Sequence, residues 1–233
     1  MSSYHFVTAD VFTSRRFGGN QLAVLPEAEG LSEAEMLAIA REFNYSESTF
    51  VFPPDNPAHT GRVRIFTPGG EVPFAGHPTV GTAHVLAALG RVPLDDGDTQ
   101  LVLEEQVGPV PVRVRARDGE PVFSQLSAAK LPVVGPALPP AAALAEILSL
   151  REEDLAGGAF APEVVSCGLP FAFIPLANRD AVRRARLRLE LWERTLAGHP
   201  GEMMFLFAMD AEEPEHDVRA RMFGPSGAVP EDP

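Results

Sequence analysis

The sequence predicts an α+β protein made of two similar domains. Strand-like runs are interrupted by single helical segments in each half of the chain, which is the order expected of an α+β fold. A proline-rich stretch at residues 131–146 separates the two halves and precedes a short helix. With 233 residues, the chain is long enough for one large domain or for two of roughly 100 residues each.

The composition is that of an ordinary globular protein, with 45% hydrophobic and 22% charged residues. A net charge of −13 argues against nucleic acid or an anionic membrane as the main partner. The single cysteine, Cys167, excludes an intrachain disulfide and a cysteine metal cluster. No apolar run reaches membrane-spanning length and the N-terminus lacks the layout of a signal peptide, so we expect a cytoplasmic protein.

In the first half, β-branched and alternating apolar runs predict strands at residues 4–12, 22–25, 48–52, 61–67 and 109–115. Prolines 109 and 111 place the last of these strands at a sheet edge. A helix is predicted over residues 31–43, because Ser32 and Glu35 form a capping box and apolar residues recur on one face.

A second helix is predicted over residues 77–90. Pro78 suits the first helical position and Gly90 suits the residue after the helix ends. This segment is apolar on nearly every side, which predicts a buried and closely packed helix.

In the second half, strands are predicted at residues 171–176, 203–209 and 217–223, with arginine-rich helical segments between residues 178 and 196. The last strand alternates, so Arg219 and Arg221 should face away from Ala220 and Met222.

Glu47 is the first candidate for chemistry, because it lies between a helix and an apolar strand and is flanked by hydroxyl residues. Two interpretations are open: a solvated loop residue, or a carboxylate at the edge of a cleft. A catalytic glutamate would need its pKa raised by burial, so that it could both take and return a proton.

His77 is the second candidate, since it follows Gly76 at the start of a buried helix whose free backbone N–H groups suit an anion. A histidine that merely caps or packs on the helix is the alternative. Glu71, in the preceding turn, is interpreted as a surface residue rather than a functional one.

The terminal sequence VPEDP is the third candidate. It has the composition of an acidic tail, but Asp232 followed by Pro233 is also how a helix begins.

Together these stretches resemble the phenazine-biosynthesis PhzF-like isomerases, which have the diaminopimelate epimerase-like fold. The resemblance runs from near Asp10 to Pro233 and is densest in PFAGHPTVGTA. The other motifs that carry it are DVFTSRRFGGNQLAVL, NYSESTFVF, VSCGLPFAFIPL and RMFGPSGAVPEDP.

The resemblance implies two domains, assigned here to residues 1–118 and 119–233, each with a mostly antiparallel sheet wrapped around a central helix. The active site would lie in the cleft between them. In the family's pattern the acid/base glutamate corresponds to Glu47, and His77 and Asp232 line the same pocket. The residues that would contact the substrate are Asn20, Ser46, Gly76, Pro78 and Thr79, although a turn role for Asn20 remains an equal alternative.

The activity implied is a cofactor-free isomerisation, in which a proton leaves one carbon of a small carboxylated metabolite and returns at another. A homodimer is expected from the family. The alternatives are a lyase or racemase outcome of the same chemistry, and a non-catalytic small-molecule or protein-binding member of the fold.

Two departures from the family pattern bear on these expectations. Related racemases use two opposed cysteines, whereas this chain has only Cys167, which we interpret as a small buried residue. The family pattern also continues as EDPATGSA and a further helix, so the second domain is expected to be incomplete in this chain, which would end at the first turn of its central helix.

Overall fold

The computed structural model describes residues 3–128, 130–158, 160–214, 216–225 and 230–232. The chain divides into two compact units, Met1–Lys130 and Leu131–Pro233. A division after residue 118 would separate the strand Glu120–Leu126 from the strand Gly108–Arg117 with which it pairs. The observed boundary therefore lies twelve residues later than the expected one, because this hairpin completes the first sheet.

The first unit contains one mixed sheet and two helices. Its strands are β1 (Val7–Val11), β2 (Asn20–Leu25), β3 (Glu47–Phe52), β4 (Gly61–Thr67), β5 (Gly70–Val72), β6 (Gly97–Glu105), β7 (Gly108–Arg117) and β8 (Glu120–Leu126). Its helices are α1 (Glu33–Phe43) and α2 (Gly76–Ala88). The strand order is β1-β2-β3-β4-β6-β7-β8, with β5 paired to β4. β2 is parallel to β3 and β4 is parallel to β6, whereas the other pairs are antiparallel.

Helix α1 forms where the capping box predicts it. The Ser32 side chain accepts from the backbone N–H of Glu35, whose carboxylate in turn accepts from the backbone N–H of Ser32. Its buried residues Met36 and Ala40 pack with Phe50 and Phe66 on one face of the sheet. The helix ends at Asn44, which adopts the left-handed conformation with φ 54°.

Helix α2 is the central helix of the first unit, as predicted. It packs against β1, β2, β3, β6, β7 and β8, so the sheet wraps around it. The approach is close at Gly81, where an added Cβ would lie 2.5 Å from Leu22 Cδ2 and 2.7 Å from Val11 Cγ2. Gly90 follows the helix with φ 68°, in the conformation that glycine adopts without strain.

The prediction that residues 109–115 form an edge strand is wrong, because β7 pairs with β6 on one side and β8 on the other. The β8 ladder begins at Val112, after both prolines. The carbonyl of Pro111 accepts from the backbone N–H of Ser127, so it points to the β8 side. The nitrogen and the carbonyl of a strand residue point to the same side, so the Pro111 nitrogen also points to the β8 side, just beyond the last pair of the β7–β8 ladder. The prolines therefore mark the end of a ladder rather than the edge of the sheet.

The second unit contains a sheet with the order β14-β13-β12-β11-β10-β9, in which β11 and β12 are parallel. Its strands are β9 (Val133–Val134), β10 (Glu163–Ser166), β11 (Pro170–Pro175), β12 (Met204–Ala208), β13 (Arg219–Phe223) and β14 (Glu231–Asp232). Its helices are α3 (Ala141–Ile147), α4 (Arg179–Arg184) and α5 (Leu189–Thr195), together with a 3-10 turn at Glu152–Asp154.

One face of this second sheet packs with the three helices, through a core that includes Ile174, Leu206 and Trp192. The opposite face has a row of partly exposed rings, Phe171, Phe173, Phe205 and Phe207, with centroids 5.5 to 6.4 Å apart. The two faces alternate along each strand, as a sheet with one helix-covered face requires.

Arginine alternation in β13 is as predicted. Arg221 faces the helices and donates to the carbonyls of Val182 and Ala185, which stabilises the C-terminal end of α4. The prediction that a helix begins at Asp232–Pro233 falls partly outside the described residues, since Pro233 is not described, and Asp232 lies on β14 opposite Met222.

Candidate active site

The parallel pairing of β2 and β3 brings several predicted site residues to one edge of the first sheet. Leu22 is opposite Glu47 in this register. Because parallel strands begin at the same edge, Asn20 at the start of β2 lies near Ser46 and Glu47 at the start of β3. The crossover through α1 makes this parallel arrangement possible.

Three buried side chains at this edge form a hydrogen-bonded chain. Ser46 Oγ donates to Asn20 Oδ1 over 2.8 Å, and Asn20 Nδ2 donates to His77 Nδ1 over 3.2 Å. Asn20 and His77 are each 6% exposed and Ser46 is 8% exposed. Because Asn20 Oδ1 is the acceptor for Ser46, the amide presents its N–H group to His77. The imidazole is therefore held with Nδ1 as an acceptor and its hydrogen on Nε2.

His77 Nε2 lies 3.5 Å from Glu47 Oε2 and 3.3 Å from the carbonyl oxygen of Gln21. The side chain of Glu47 is 17% exposed, so it is a mostly buried carboxylate rather than a solvated loop residue. His77 contacts β2 and β3, which distinguishes it from a histidine that only caps its own helix. The structure thus brings Asn20, Ser46, Glu47 and His77 together in one network.

The N-terminus of α2 lies at the same place because His77 is its second residue. The N-cap residue, Ala75, makes no side-chain capping bond, and the first turn contains no acidic residue. Gly76 is partly exposed, and an added Cβ there would meet no atom within 4 Å. The positive end of the helix dipole is therefore not neutralised by the first turn itself.

Pro78 and Thr79 are buried and face the protein interior. The hydroxyl of Thr79 lies 2.7 Å from the carbonyl oxygen of Ala75 and 2.6 Å from Glu105 Oε1. The hydroxyl of Thr79 is therefore engaged within the protein, and a contact between Thr79 and the substrate remains a prediction.

A second threonine anchors α2 to the strand that carries Glu47. Thr82 Oγ1 and Thr49 Oγ1 are hydrogen bonded over 2.8 Å, and both residues have no exposed surface. This contact fixes the position of α2 along β3, and it thereby fixes the position of His77 relative to Glu47.

Glu105 was not identified from the sequence. It is the last residue of β6 and is 8% exposed, and burial raises its pKa to about 7. The signal was present in the alternation of Leu101, Leu103 and Glu105, which places the carboxyl in the same inward series as two buried leucines.

Glu71 is less exposed than its interpretation as a surface residue implied. Its side chain is 15% exposed and forms a salt bridge with Arg64. The hydrogen bonds from Arg64 hold the pKa of the Glu71 carboxyl below its usual value, with a smaller contribution from Gln106. Glu71 is therefore an ionised structural partner of Arg64.

Asp232 and Cys167 belong to the second unit. Asp232 is partly exposed on β14, and its role remains a prediction. Cys167 is partly exposed, so the expectation that it is buried is wrong.

Among the described residues, no three histidine, cysteine, aspartate or glutamate side chains are grouped so as to hold a metal ion. None of the helices in the described part of the chain is long and apolar enough to cross a membrane.

Curated relatives match nearly the whole chain. An uncharacterised isomerase of Mesorhizobium japonicum is 39% identical over 237 residues, which cover 100% of this chain and 77% of that protein. A trans-2,3-dihydro-3-hydroxyanthranilate isomerase of Pseudomonas aeruginosa is 34% identical, over 98% of this chain and 74% of that protein. The chain spans about three quarters of the length of these relatives.

Solved structures give the same result for the fold. A predicted epimerase from Pseudomonas aeruginosa is 33% identical with a TM-score of 0.79, over 99% of this chain and 76% of that chain. A PhzF-family phenazine biosynthesis protein of Bacillus anthracis has a TM-score of 0.85 at 24% identity, over 100% of this chain and 76% of that chain, and shows likeness of fold. A probable proline racemase at 14% identity and a TM-score of 0.54 also shares the fold, which confirms the predicted α+β epimerase-like class.

The sequence profile of the phenazine biosynthesis-like proteins matches residues 9–233. Together with the isomerase relatives, this match confirms the resemblance drawn from the motifs and the prediction of an isomerase. The chain belongs to the phenazine biosynthesis-like protein family.

Proposed function

We propose that this chain is a cofactor-independent isomerase that moves a proton between two carbons of a small carboxylated metabolite, with Glu47 as the acid/base. The observation that carries this proposal is the Glu47–His77 pair, with 3.5 Å between Oε2 and Nε2. A mostly buried carboxylate beside a fixed imidazole, at an uncapped helix N-terminus, combines a proton acceptor with stabilisation of negative charge.

The reaction in this proposal has two proton transfers and no change of oxidation state. Glu47 removes a proton from an activated carbon, so a C–H bond breaks and an O–H bond forms on the carboxyl. The electron pair is delocalised into the conjugated system of the substrate. Glu47 then returns the proton to a different carbon, which breaks the O–H bond and completes the isomerisation. The N-terminus of α2 near Gly76 is the proposed binding place of the substrate carboxylate.

His77 orients the carboxyl in this mechanism. Its Nδ1 accepts from Asn20, so the hydrogen on Nε2 is directed to the side of Glu47 and the Gln21 carbonyl. Asn20 and Ser46 act through His77, which makes them positioning residues rather than direct substrate contacts. Thr79 and Pro78 support the first turn of the helix from inside.

Asp232 is proposed as a further site residue, and a homodimer is proposed as the assembly. Both proposals depend on the motif resemblance alone, and Asp232→Asn is the variant that would test the first of them.

The first substrate to try follows from the relatives. The Pseudomonas aeruginosa relative is named for trans-2,3-dihydro-3-hydroxyanthranilate, a small carboxylate whose ring contains a conjugated system. A compound of this class offers both an anion for the helix N-terminus and an activated C–H bond for Glu47.

The test measures deuterium incorporation from D₂O into this substrate by the purified protein. We expect Glu47→Gln to slow exchange by about 10²- to 10⁴-fold, because the amide cannot accept the proton. Glu42→Gln, at an exposed position of α1, is the matched control and should exchange like the wild type. Equal exchange by wild type and Glu47→Gln contradicts the assignment. Binding of the carboxylate without any exchange would favour the non-catalytic alternative.

A further inference from the structure

Glu105 is the buried carboxyl that the proposed mechanism does not use. Strands β4 and β6 pair only at Gly61–Leu103 and Arg62–Glu104, and Glu105 is the next residue of β6 after this pairing ends. Beyond that point β4 pairs with β5 instead. Glu105 Oε1 faces Thr79 in the first turn of α2. Glu105 Oε2 is buried and, within the described residues, has no hydrogen-bond partner.

The hydrogen bonds around Thr79 constrain the protonation of Glu105. The Thr79 hydroxyl is close to two acceptors, the carbonyl oxygen of Ala75 at 2.7 Å and Glu105 Oε1 at 2.6 Å. A hydroxyl has one hydrogen and can donate only one such bond. Both short contacts are satisfied together when Glu105 carries a proton and donates it to Thr79 Oγ1, while Thr79 donates to Ala75.

Among the described residues, no charged group near Glu105 forms an ion pair with it. A cavity of about 640 Å³ lies beside it. Its charged or titratable lining residues besides Glu105 are Asp55, His59, Arg62, Arg64, Glu71 and Glu104. Arg64 is bound by Glu71 and Glu33, and Glu104 is bound by His59 and by the backbone amides of Asp55 and Asn56.

The remaining elements packed against Glu105 add no cation. Helix α2 contains only two titratable residues, His77 and His84. Arg113 and Arg115 on the neighbouring β7 are exposed and pair with Asp98. Burial without a cation favours the neutral carboxyl, in agreement with the raised pKa of Glu105.

We infer that Glu105 is a positioning residue for the candidate active site, which in its protonated form completes the hydrogen bonding of the first turn of α2 and keeps negative charge away from its N-terminus. Ionisation would turn the Thr79 hydroxyl towards Glu105 and would leave Ala75 with only its 3.3 Å bond from the Thr79 amide. It would also place a negative charge beside the helix end to which an anionic substrate is proposed to bind.

This inference rests on the proposed function in one respect, the binding of a carboxylate at this helix end. It therefore predicts a specific kinetic pattern. Loss of the Glu105 proton should raise KM for an anionic substrate and leave kcat little changed, because the effect is on carboxylate binding and not on the proton held by Glu47.

The first experiment is independent of activity. Protein labelled with ¹³C at the glutamate side-chain carboxyl is titrated by NMR, and the Glu105 signal is identified by its absence from Glu105→Gln. We expect this carboxyl to titrate near pH 7. A Glu105 titration below pH 5.5 would overturn the inference whether or not a substrate is known.

The second experiment measures the pH dependence of KM with the carboxylated substrate for wild type, Glu105→Gln and Glu42→Gln. The glutamine amide can donate to Thr79 at every pH. KM for Glu105→Gln should therefore stay constant as the pH is increased past 7. KM for wild type and Glu42→Gln should rise by about threefold or more between pH 6 and pH 8.5, the size expected for a charge at a helix terminus.

Thr79→Val is a control for a general structural effect of changing this turn. It removes the Thr79 hydroxyl and leaves the Glu105 carboxyl in place. We expect Glu105 in this variant still to titrate well above its usual pKa of 4.5, because its burial, the main cause of the raised pKa, is unchanged. Parallel KM profiles for wild type and Glu105→Gln would overturn the positioning role, even if the titration gives the expected pKa.

Discussion

Each unit contains a carboxyl group that is almost fully covered, Glu105 at 8% exposure in the first and Asp154 at 6% in the second. Their pKa values are displaced in opposite directions. Burial raises the pKa of Glu105 to about 7, whereas hydrogen bonds from the Arg184 guanidinium and the Arg151 backbone lower the pKa of Asp154. Arg184 Nη2 lies 2.6 Å from Asp154 Oδ1.

The difference lies in what covers each group. Asp154 is covered by arginine side chains that are themselves exposed, 39% for Arg184 and 72% for Arg151, so it lies just beneath the surface with its cation in place. Glu105 is covered by a helix without charged residues in its first turn. Low accessible area therefore does not determine acidity, which depends on whether a cation is buried together with the acid.

The largest effect that would test this comparison is the pH dependence of the stability of Glu105→Gln. The folded-state pKa of Glu105 is raised from 4.5 to about 7, so the unfolded chain loses this proton first as pH rises. Stability contributed by the protonated group is complete below about pH 4.5 and is lost as pH rises to about 7. The free energy of unfolding of wild type should fall by about 3 kcal/mol relative to Glu105→Gln across this window.

Urea unfolding of wild type and Glu105→Gln at pH 5 and pH 8 measures this difference. A gap between the two proteins that is the same at both pH values would mean that Glu105 is ionised in the folded state, and the contrast with Asp154 would disappear.

Asp154→Asn should give a smaller effect with the opposite pH dependence. The pKa of Asp154 is lowered, so the stabilisation is present above the unfolded-state pKa near 3.8 and is lost as pH falls through the folded-state value. At pH 7 we expect a loss of about 1–2 kcal/mol, reduced from that of a buried charged hydrogen bond because Arg184 is partly exposed.

Chemical unfolding of Asp154→Asn at pH 7 and pH 3 checks this expectation. Glu152→Gln, an exposed neighbour in the same 3-10 turn, is the control and should change the stability little at either pH. A loss that is equal at both pH values would contradict an ion-pair origin.

The smallest effect concerns the neutral hydrogen bond between Thr49 and Thr82, which anchors α2 without any charge. Thr49→Val or Thr82→Val alone should cost about 1 kcal/mol, because the remaining hydroxyl is buried without its partner. The double variant should be less destabilised than the sum of the two single variants. Thermal unfolding of the four proteins gives the coupling, and strict additivity would show that the two hydroxyls do not act as a pair.

The local features of the fold could be read from the sequence with good accuracy. The capping box of Ser32 and Glu35, the buried character of α2 and the alternation of Arg219 and Arg221 all depend on residues close in the chain. The set of motifs from Asp10 to Pro233, which is densest around Gly76 and His77, also identified the family, as the profile match over residues 9–233 confirms.

Predictions failed where the outcome depended on partners distant in the chain. The edge assignment of β7 was wrong because β8 pairs beside it after the prolines. The interpretation of Glu71 as a surface residue missed its partner, Arg64. Arg64 lies on β4 and Glu71 on β5, and only the pairing of these two strands brings the side chains together.

The sequence by itself determined the α+β class, the positions of α1, α2 and several strands, the polar residues at the starts of β2, β3 and α2, and the family. These follow from spacing and from residue type, which act over a few residues. The tertiary structure decided that Asn20 holds His77, that His77 meets Glu47, and that Glu105 lies under the first turn of α2 without a cation. Hydrogen-bond partners and acidities depend on which side chains converge across strands, and only the folded chain brings those groups within a few ångströms of one another.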